Sequence, residues 1–289
     1  MAVIAVVNRK GGSGKSTLAT HLAAYWARAG VAVMLGDVDR NLSAQSWLHL
    51  RQRQSVPGCR PICGGALDPR NVLRLPPGVD HAVLDTPGGM SGFELARLVC
   101  HADVVLIPVC PSMFDLDAAA ACFAELRKMP RVASGRCKVA AVGMRVDMRS
   151  KALPLLRSWA AGQALPLIGC LRDTATYVHC VDRGLSIFDL PQGRLGLDLA
   201  QWAPIIEWLT PVLQPRAASM ESRPMRPSYK PNQPRLAAAF TPMPAVRPLP
   251  KGPARAGAAT AAMPPPSWVE RLEQAWSGMP WRRLRVRHP

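Results

Sequence analysis

Long apolar runs are missing from this 289-residue chain. None reaches the ~18 consecutive residues that a membrane-spanning helix requires. The usual layout of a secretory leader is missing too. The apolar stretch Ala2–Val7 comes before Arg9 and Lys10, whereas a leader places its basic residues first; a cytoplasmic protein is the expectation. Aromatic residues are scarce at 6%, and no Gly-X-Y repeat occurs, which excludes a collagen. Hydrophobic residues nonetheless make up 48%, too many for a fully disordered chain. The eight cysteines lack a second Cys or His pair at structural-zinc spacing after Cys59 and Cys63. They read as reduced thiols buried as small hydrophobes.

Acidic residues are also few, 19 against 36 lysines and arginines, for a net charge of +17. A surplus of this sign suits nucleic acid or an anionic membrane surface and does not choose between them. It is unevenly spread: residues 210–289 carry 13 basic residues against 3 acidic ones, together with 16 of the 29 prolines. Three regions are expected. Residues 1–213 form a globular domain, 214–266 a Pro/Ala/Arg-rich linker with too little apolar surface to offset its ordering entropy, and 267–289 a short amphipathic basic segment.

Within the first region, short apolar β-branched runs alternate with helical patterns. Strands are predicted at residues 1–7, 31–35, 82–84, 104–107 and 139–142, with a sixth at 167–169. Helices are predicted from Leu18 to Gly30, around 92–101, 115–128 and 150–162, and at 198–213 with an interruption at Pro204. This alternation predicts an α/β fold: a mostly parallel, twisted sheet with helices on both faces and ligands at the carboxyl ends of the strands. Each Gly- or Asp-rich segment falls at such an end.

The first strand runs into Lys10-Gly11-Gly12-Ser13-Gly14-Lys15-Ser16-Thr17. The common phosphate-loop pattern asks for glycine at position 9, where Arg9 stands, and a lysine heads the loop instead. Small residues let successive backbone N–H groups turn toward phosphate oxygens, and the following helix adds its positive end. Lys15 suits the β- and γ-phosphates, and the Ser16 hydroxyl suits Mg²⁺. Two acidic strand ends accompany the loop, Asp37-Val38-Asp39 and Asp85-Thr86-Pro87-Gly88-Gly89.

The lysine-headed loop resembles the deviant Walker A box of the ParA/MinD family of P-loop ATPases. Asp37 to Ala44 followed by Trp47 is similar to that family's first switch, and Leu84 to Gly89 to its Walker B strand and second switch. Ile107-Pro108-Val109 with Pro111-Ser112, and Leu171-Arg172 through Arg183-Gly184-Leu185-Ser186, match later segments in the same order. The resemblance spans about residues 1–210 and is nearest to short ParA proteins without an added DNA-binding domain. It implies a P-loop NTPase fold, ATP and Mg²⁺ as cofactors, and weak, partner-stimulated ATP hydrolysis. Lys10 would reach across an ATP-bound homodimer to the other subunit's nucleotide. Gly11 to Thr17 would cradle the phosphates. Asp39 would position the attacking water, Asp37 would stand in the outer shell of the magnesium, and Asp85 would hold that ion through water while sensing the γ-phosphate with Gly88. Slow phosphoryl transfer with little covalent help suits such a set. Two departures stand out: Arg40-Asn41 replaces the family's usual Pro-Gln, and Gly143 to Asp147 lacks the asparagine that often meets the purine.

The same resemblance implies non-specific DNA binding, with Arg145, Arg149, Lys151, Arg157 and Arg172 as candidates for phosphate contacts. In the tail, Ser267 to Trp276 reads as a capped helix with Trp268, Leu272 and Trp276 on one face. Such a face suits docking on a protein partner or, despite Glu270 and Glu273, an anionic membrane. The leading expectation is a nucleoid-associated switch that positions a plasmid, chromosome locus or protein complex, with hydrolysis triggered by a ParB-like or cargo-adaptor partner. A MinD-like membrane-associated regulator is the alternative. A nitrogenase-reductase-like enzyme is disfavoured by the helix and strand settings of Cys100 and Cys110, and an inert scaffold by the presence of Asp39.

Overall fold

The computed structural model describes residues 1–54, 56–68, 76–191, 193 and 195–213. The expected linker and amphipathic segment, 214–289, lie outside the described residues. Among the described residues there are seven strands: β1 (Ala2–Val6), β2 (Val33–Asp37), β3 (Cys63–Ala66), β4 (His81–Asp85), β5 (Val104–Val109), β6 (Lys138–Val146) and β7 (Leu167–Arg172). They form one sheet in the order β3-β2-β4-β1-β5-β6-β7, and every pairing is parallel. The helices are α1 (Lys15–Arg28), α2 (Ser43–Gln52), α3 (Gly92–Val99), α4 (Met113–Leu126), α5 (Pro130–Ala133), α6 (Ala152–Gln163), α7 (Ala175–Val181) and α8 (Gly196–Leu213), with a 3-10 turn at Ile187–Asp189 before α8.

Successive strand residues face opposite ways, so a strand covered on both sides must be apolar throughout. In β1, Ile4 and Val6 join one core with Leu18 and Leu22 of α1, Trp47 of α2, Tyr177 of α7 and Trp202 and Ile205 of α8. Val3 and Ala5 join the other, with Leu95 of α3, Leu116 and Phe123 of α4 and Leu156 of α6. Burying both faces of the central strands is the main stabilising contribution, at roughly 25 cal/mol per Å² of apolar surface removed from water. The sheet register sets Val6 opposite Asp85 and Asp85 opposite Asp37, which brings the ends of β1, β4 and β2 level.

Several expectations need correction. The sheet has seven strands rather than six: β3, Cys-Gly-Gly-Ala, is a mostly exposed edge strand with no apolar signature. It pairs closely because Gly64 has φ 147° and a Cβ there would stand 1.9 Å from the Leu35 carbonyl oxygen. β6 does not stop at Gly143 but runs to Val146 through a register irregularity. Gly143 serves instead for close approach, since a Cβ would stand 2.6 Å from Cys170 Sγ on β7. α8 is continuous through the exposed Pro204. The proline removes one helical hydrogen bond, but buried Trp202, Ile205 and Leu209 hold both sides of it. Gly169 lets α8 approach β7, where a Cβ would meet Ile205 at 2.5 Å. Of the eight thiols, only Cys122, Cys137 and Cys180 are buried, while Cys63 and Cys100 are exposed. Burial pushes the Cys122 and Cys180 thiols up to about 11 and that of Cys137 to about 12.

Candidate functional site

The loop between β1 and α1 is built on two glycines in left-handed conformations, Gly12 at φ 73° and Gly14 at φ 95°. Side chains rarely adopt that region, and glycine enters it without steric cost. Gly14 is the N-cap of α1 and has no side chain to satisfy the helix's first amides, so those donors remain for an anion. At Gly14 a Cβ would also strike Met144 Cε at 2.8 Å. Asn8, fully buried, fixes the start of the loop: its Nδ2 donates to the Pro108 carbonyl at 2.7 Å and its Oδ1 accepts the Lys10 amide at 3.0 Å. The loop is thereby tied to the end of β5 as well as β1.

Lys15 is 6% exposed, and its ammonium donates to the Lys10 carbonyl oxygen at 3.1 Å. Burial lowers its pKa, opposed by the charges of Asp85 and Asp39. Asp85 is fully buried at the end of β4, and among the described residues neither of its carboxylate oxygens has a hydrogen-bond partner. Burial pushes its pKa up to about 7, while the Ser16 hydroxyl, nearby but outside hydrogen-bond reach, and the charge of Lys15 pull the other way. A buried carboxylate with both oxygens unpartnered is costly, so the arrangement fits a polar or cationic group supplied from outside the chain. Asp37, also buried, is better satisfied: its oxygens accept the amides of Asp39 and Gln45 at 3.0 and 2.9 Å. Its pKa is raised by burial and held back by these amides. Asp39 is half-buried and accepts the Asn41 amide at 3.0 Å. That turn leaves Arg40 exposed at its tip and enters α2 through Leu42 at φ 52°.

The Asp85–Gly89 turn lies against the loop backbone, since a Cβ on Gly88 would stand 3.2 Å from the Gly11 nitrogen and 3.6 Å from the Arg9 carbonyl oxygen. The structure therefore brings Lys10, Gly11 to Thr17, Asp37, Asp39, Asp85 and Gly88 to one end of the sheet. Among the described residues no group of three His, Cys, Asp or Glu could hold a metal by itself. Beside Gly14 and Thr17 opens a pocket of about 180 Å³ lined by Met144, Arg145, Asp173 and Tyr177 among others. A larger one of about 540 Å³, lined by Tyr25, Phe188 and Trp202, contains no residue of the loop or the acidic strand ends.

Residues 4–199 match the CobQ/CobB/MinD/ParA nucleotide binding domain. The chain belongs to this family of ParA/MinD-type P-loop ATPases. The maintenance of carboxysome distribution protein A of Halothiobacillus neapolitanus is 28% identical over 198 residues, covering 68% of this chain and 91% of that protein. The chromosome-partitioning ATPase Soj of Thermus thermophilus is 33% identical over 155 residues, covering 44% of this chain and 61% of Soj. Among solved structures, the ATP complex of a Cyanothece McdA variant matches with a TM-score of 0.59 at 12% identity, over 73% of this chain and 96% of that one. At that identity the match speaks for the fold alone.

Other segments that resemble the ParA/MinD family take structural positions. Gly184 packs on the backbone of α2, where a Cβ would stand 2.3 Å from the Arg51 nitrogen. Trp47 donates its indole N–H to the Leu185 carbonyl at 3.0 Å, and Arg51 pairs with buried Asp189 at 2.7 Å. The late Arg-Gly-Leu-Ser segment thus supports α2, the helix that follows the Asp37–Asp39 turn. Arg145, Arg149, Lys151 and Arg157 are exposed on β6, the following loop and α6. Arg172 differs, because its guanidinium is engaged by buried Asp198 through bonds of 2.6 and 2.9 Å. No helix among the described residues is long and apolar enough to cross a membrane.

Arg9, Asp115 and Glu125 belong to no phosphate-site motif in the sequence, yet they flank the loop. Arg9 pairs with Glu125 of α4, whose other oxygen accepts the Gly92 amide at 2.6 Å, and Lys10 pairs with Asp115 of α4 at 2.5 Å. The Ser-x-x-Asp pattern at Ser112–Asp115 was the one available signal, marking a helix start with a fixed carboxylate in its first turn.

Proposed function

We propose that this chain is an ATP-dependent dimerising switch that binds DNA without sequence preference and positions a cargo, with hydrolysis triggered by a partner protein. The observation that carries this reading is the buried Lys15, bound to the Lys10 carbonyl of the glycine loop and within reach of the charge of the buried, unpartnered Asp85. Lys15 and the amides of Gly11 to Thr17 would bind the phosphates of ATP. Ser16 would ligate Mg²⁺, with Asp85 and Asp37 holding its water shell, and Gly88 would report on the γ-phosphate. When bound, Mg²⁺ neutralises phosphate charge. Asp39, on a turn pinned by the Asn41 amide, would orient the attacking water, and Lys10 would act on the nucleotide of a second copy. The exposed Arg145, Arg149, Lys151 and Arg157 would supply salt-dependent contacts to DNA phosphates, with Arg172 contributing through the donors that Asp198 leaves free. The positioning role follows the named activities of the relatives, which distribute carboxysomes and partition chromosomes.

The test uses Asp39→Ala, expected to bind ATP and retain the dimer, offered non-specific DNA and anionic liposomes side by side, with and without residues 215–289. Retention on DNA without the tail supports the proposal. Retention on liposomes alone, lost with the tail, replaces it by a MinD-like membrane regulator. Retention on neither surface overturns both readings.

A further inference from the structure

Lys10 heads the loop, and its side chain is held from a distant part of the sequence. The ammonium lies 2.5 Å from a carboxylate oxygen of Asp115, in the first turn of α4. The same oxygen accepts the Ser112 hydroxyl, and the Asp115 amide donates back to Ser112 Oγ at 3.3 Å. Asp115 is 6% exposed, whereas the Lys10 side chain is 37% exposed. The anchoring carboxylate is thus fixed in the fold, while the ammonium stands at the rim. The Lys10 backbone is held at the same place, its amide by Asn8 and its carbonyl by Lys15.

An ammonium has three donors, and one is directed at Asp115. More than a third of the side chain is exposed, which leaves room at the rim for an anion to meet the remaining donors. Pulling Lys10 away would leave a buried carboxylate without its counter-charge, which is strongly unfavourable. The pair therefore persists when the ammonium meets a further anion. A four-carbon lysine stem also carries much rotamer freedom, and anchoring removes that entropy cost in advance.

We propose that Asp115, itself held by Ser112, is a positioning residue for Lys10: it fixes the ammonium at the rim so that its remaining donors meet a phosphate on a second copy of the chain. This rests on the dimerising-ATPase reading given above.

The experiment uses the full chain with Lys10→Ala, Asp115→Asn and the double variant. Asp115→Asn is expected to lower kcat about tenfold while leaving KM for ATP within about twofold, because Lys15 and the loop amides are untouched. The double variant is expected to match Lys10→Ala, since a residue acting only through Lys10 adds nothing once Lys10 is gone. In nucleotide-free protein, amine acylation of Lys10 followed by peptide mass spectrometry should run several-fold faster in Asp115→Asn than in the unsubstituted chain. Unchanged kcat, a further loss in the double variant, or equal acylation overturns the proposal. If Asp115→Asn fails to fold, Ser112→Ala takes its place, with a smaller kcat loss that again vanishes in the Lys10→Ala background. If the unsubstituted chain neither dimerises with ATP nor turns it over, the switch reading fails, and acylation alone decides the Lys10 anchor.

Discussion

Replacing His21 with phenylalanine should change how the stability of the fold responds to acid. His21 lies on α1 one turn beyond the phosphate loop, fully buried. Its ring is near-parallel to Trp202 at 5.8 Å and edge-on to Tyr177 at 5.2 Å. Nδ1 lies 2.9 Å from the Thr17 carbonyl, so it carries the proton and donates, while Nε2 has no partner among the described residues. Burial in this aromatic nest lowers the pKa from 6.5 to about 4. The unfolded chain therefore takes up the proton near 6.5 and the native chain only near 4. Between those values the unfolded state binds more protons, so stability falls as the pH falls. The whole effect is about 3 kcal/mol, of which about 2 kcal/mol is lost between pH 7 and pH 5.

Asp85 works in the opposite sense. Its folded pKa is raised from 3.8 to about 7, so the native state keeps a proton that the unfolded state gives up. The associated stability is present in acid and lost as pH rises toward 7, which returns about 2 kcal/mol on going from pH 7 to pH 5. Asp37, raised as well, acts in the same direction as Asp85. In the unsubstituted protein Asp85 and Asp37 therefore offset the loss at His21, which does not show as a net fall in stability between these pH values. Urea unfolding with EDTA and without nucleotide separates them. His21→Phe should gain about 2 kcal/mol on acidification from pH 7 to pH 5 relative to the unsubstituted chain. Its constant cost, including the lost Thr17 contact, cancels in the comparison. Parallel stability curves for the two proteins would refute the reasoning, because they would mean that His21 titrates alike folded and unfolded.

Other outcomes follow from single contacts. Lys15→Met should abolish ATP binding in calorimetry yet leave the nucleotide-free protein as stable or slightly more so, since it removes a desolvated charge. Gly184→Ala combines φ 68° with a Cβ 2.3 Å from the Arg51 nitrogen; it should destabilise the fold by about 3 kcal/mol, read as a lowered urea midpoint. Arg51→Ala leaves buried Asp189 without its partner and should cost about 3–5 kcal/mol in the same assay. Gly88→Ala presses a methyl on the Gly11 backbone at 3.2 Å and should weaken nucleotide affinity more than it lowers thermal stability, with equal affinity counting against the close approach of Gly88 to the loop.

The parts of the site legible in the sequence are those whose signals are local. A buried strand, a glycine turn and a helix start follow one another within the first 28 residues, and each acidic strand end sits next to its own apolar run. What stayed hidden is of two kinds. β3 carries no apolar pattern because it is a mostly exposed edge strand whose Gly64 is required by the approach of Leu35. α2 has a buried stripe of Ala44, Trp47, Leu48 and Arg51, but one member is a charged residue, and the helix begins at a left-handed leucine instead of an ordinary cap. Both are cases in which a neighbouring element, not intrinsic propensity, decides the local structure.

The second kind is pairing at long range. Lys10 and Asp115 are 105 residues apart, Arg9 and Glu125 are 116 apart, and Arg51 and Asp189 are 138 apart. Periodicity reports whether one side chain is buried; it carries no record of which distant charge lies opposite. Arg172 makes the point from the other side. By composition it is one more basic residue on a basic chain, yet Asp198 on α8 holds its guanidinium in two hydrogen bonds. The loop's glycines were fixed by the need for backbone donors, which any phosphate-binding turn shares. The partners of its flanking charges were fixed by how α4 packs beside that loop, and only the folded chain brings them together. Substitutions at Asp115 and Glu125 therefore probe how α4 packs beside the loop, whereas substitutions of the loop glycines probe the backbone donors alone.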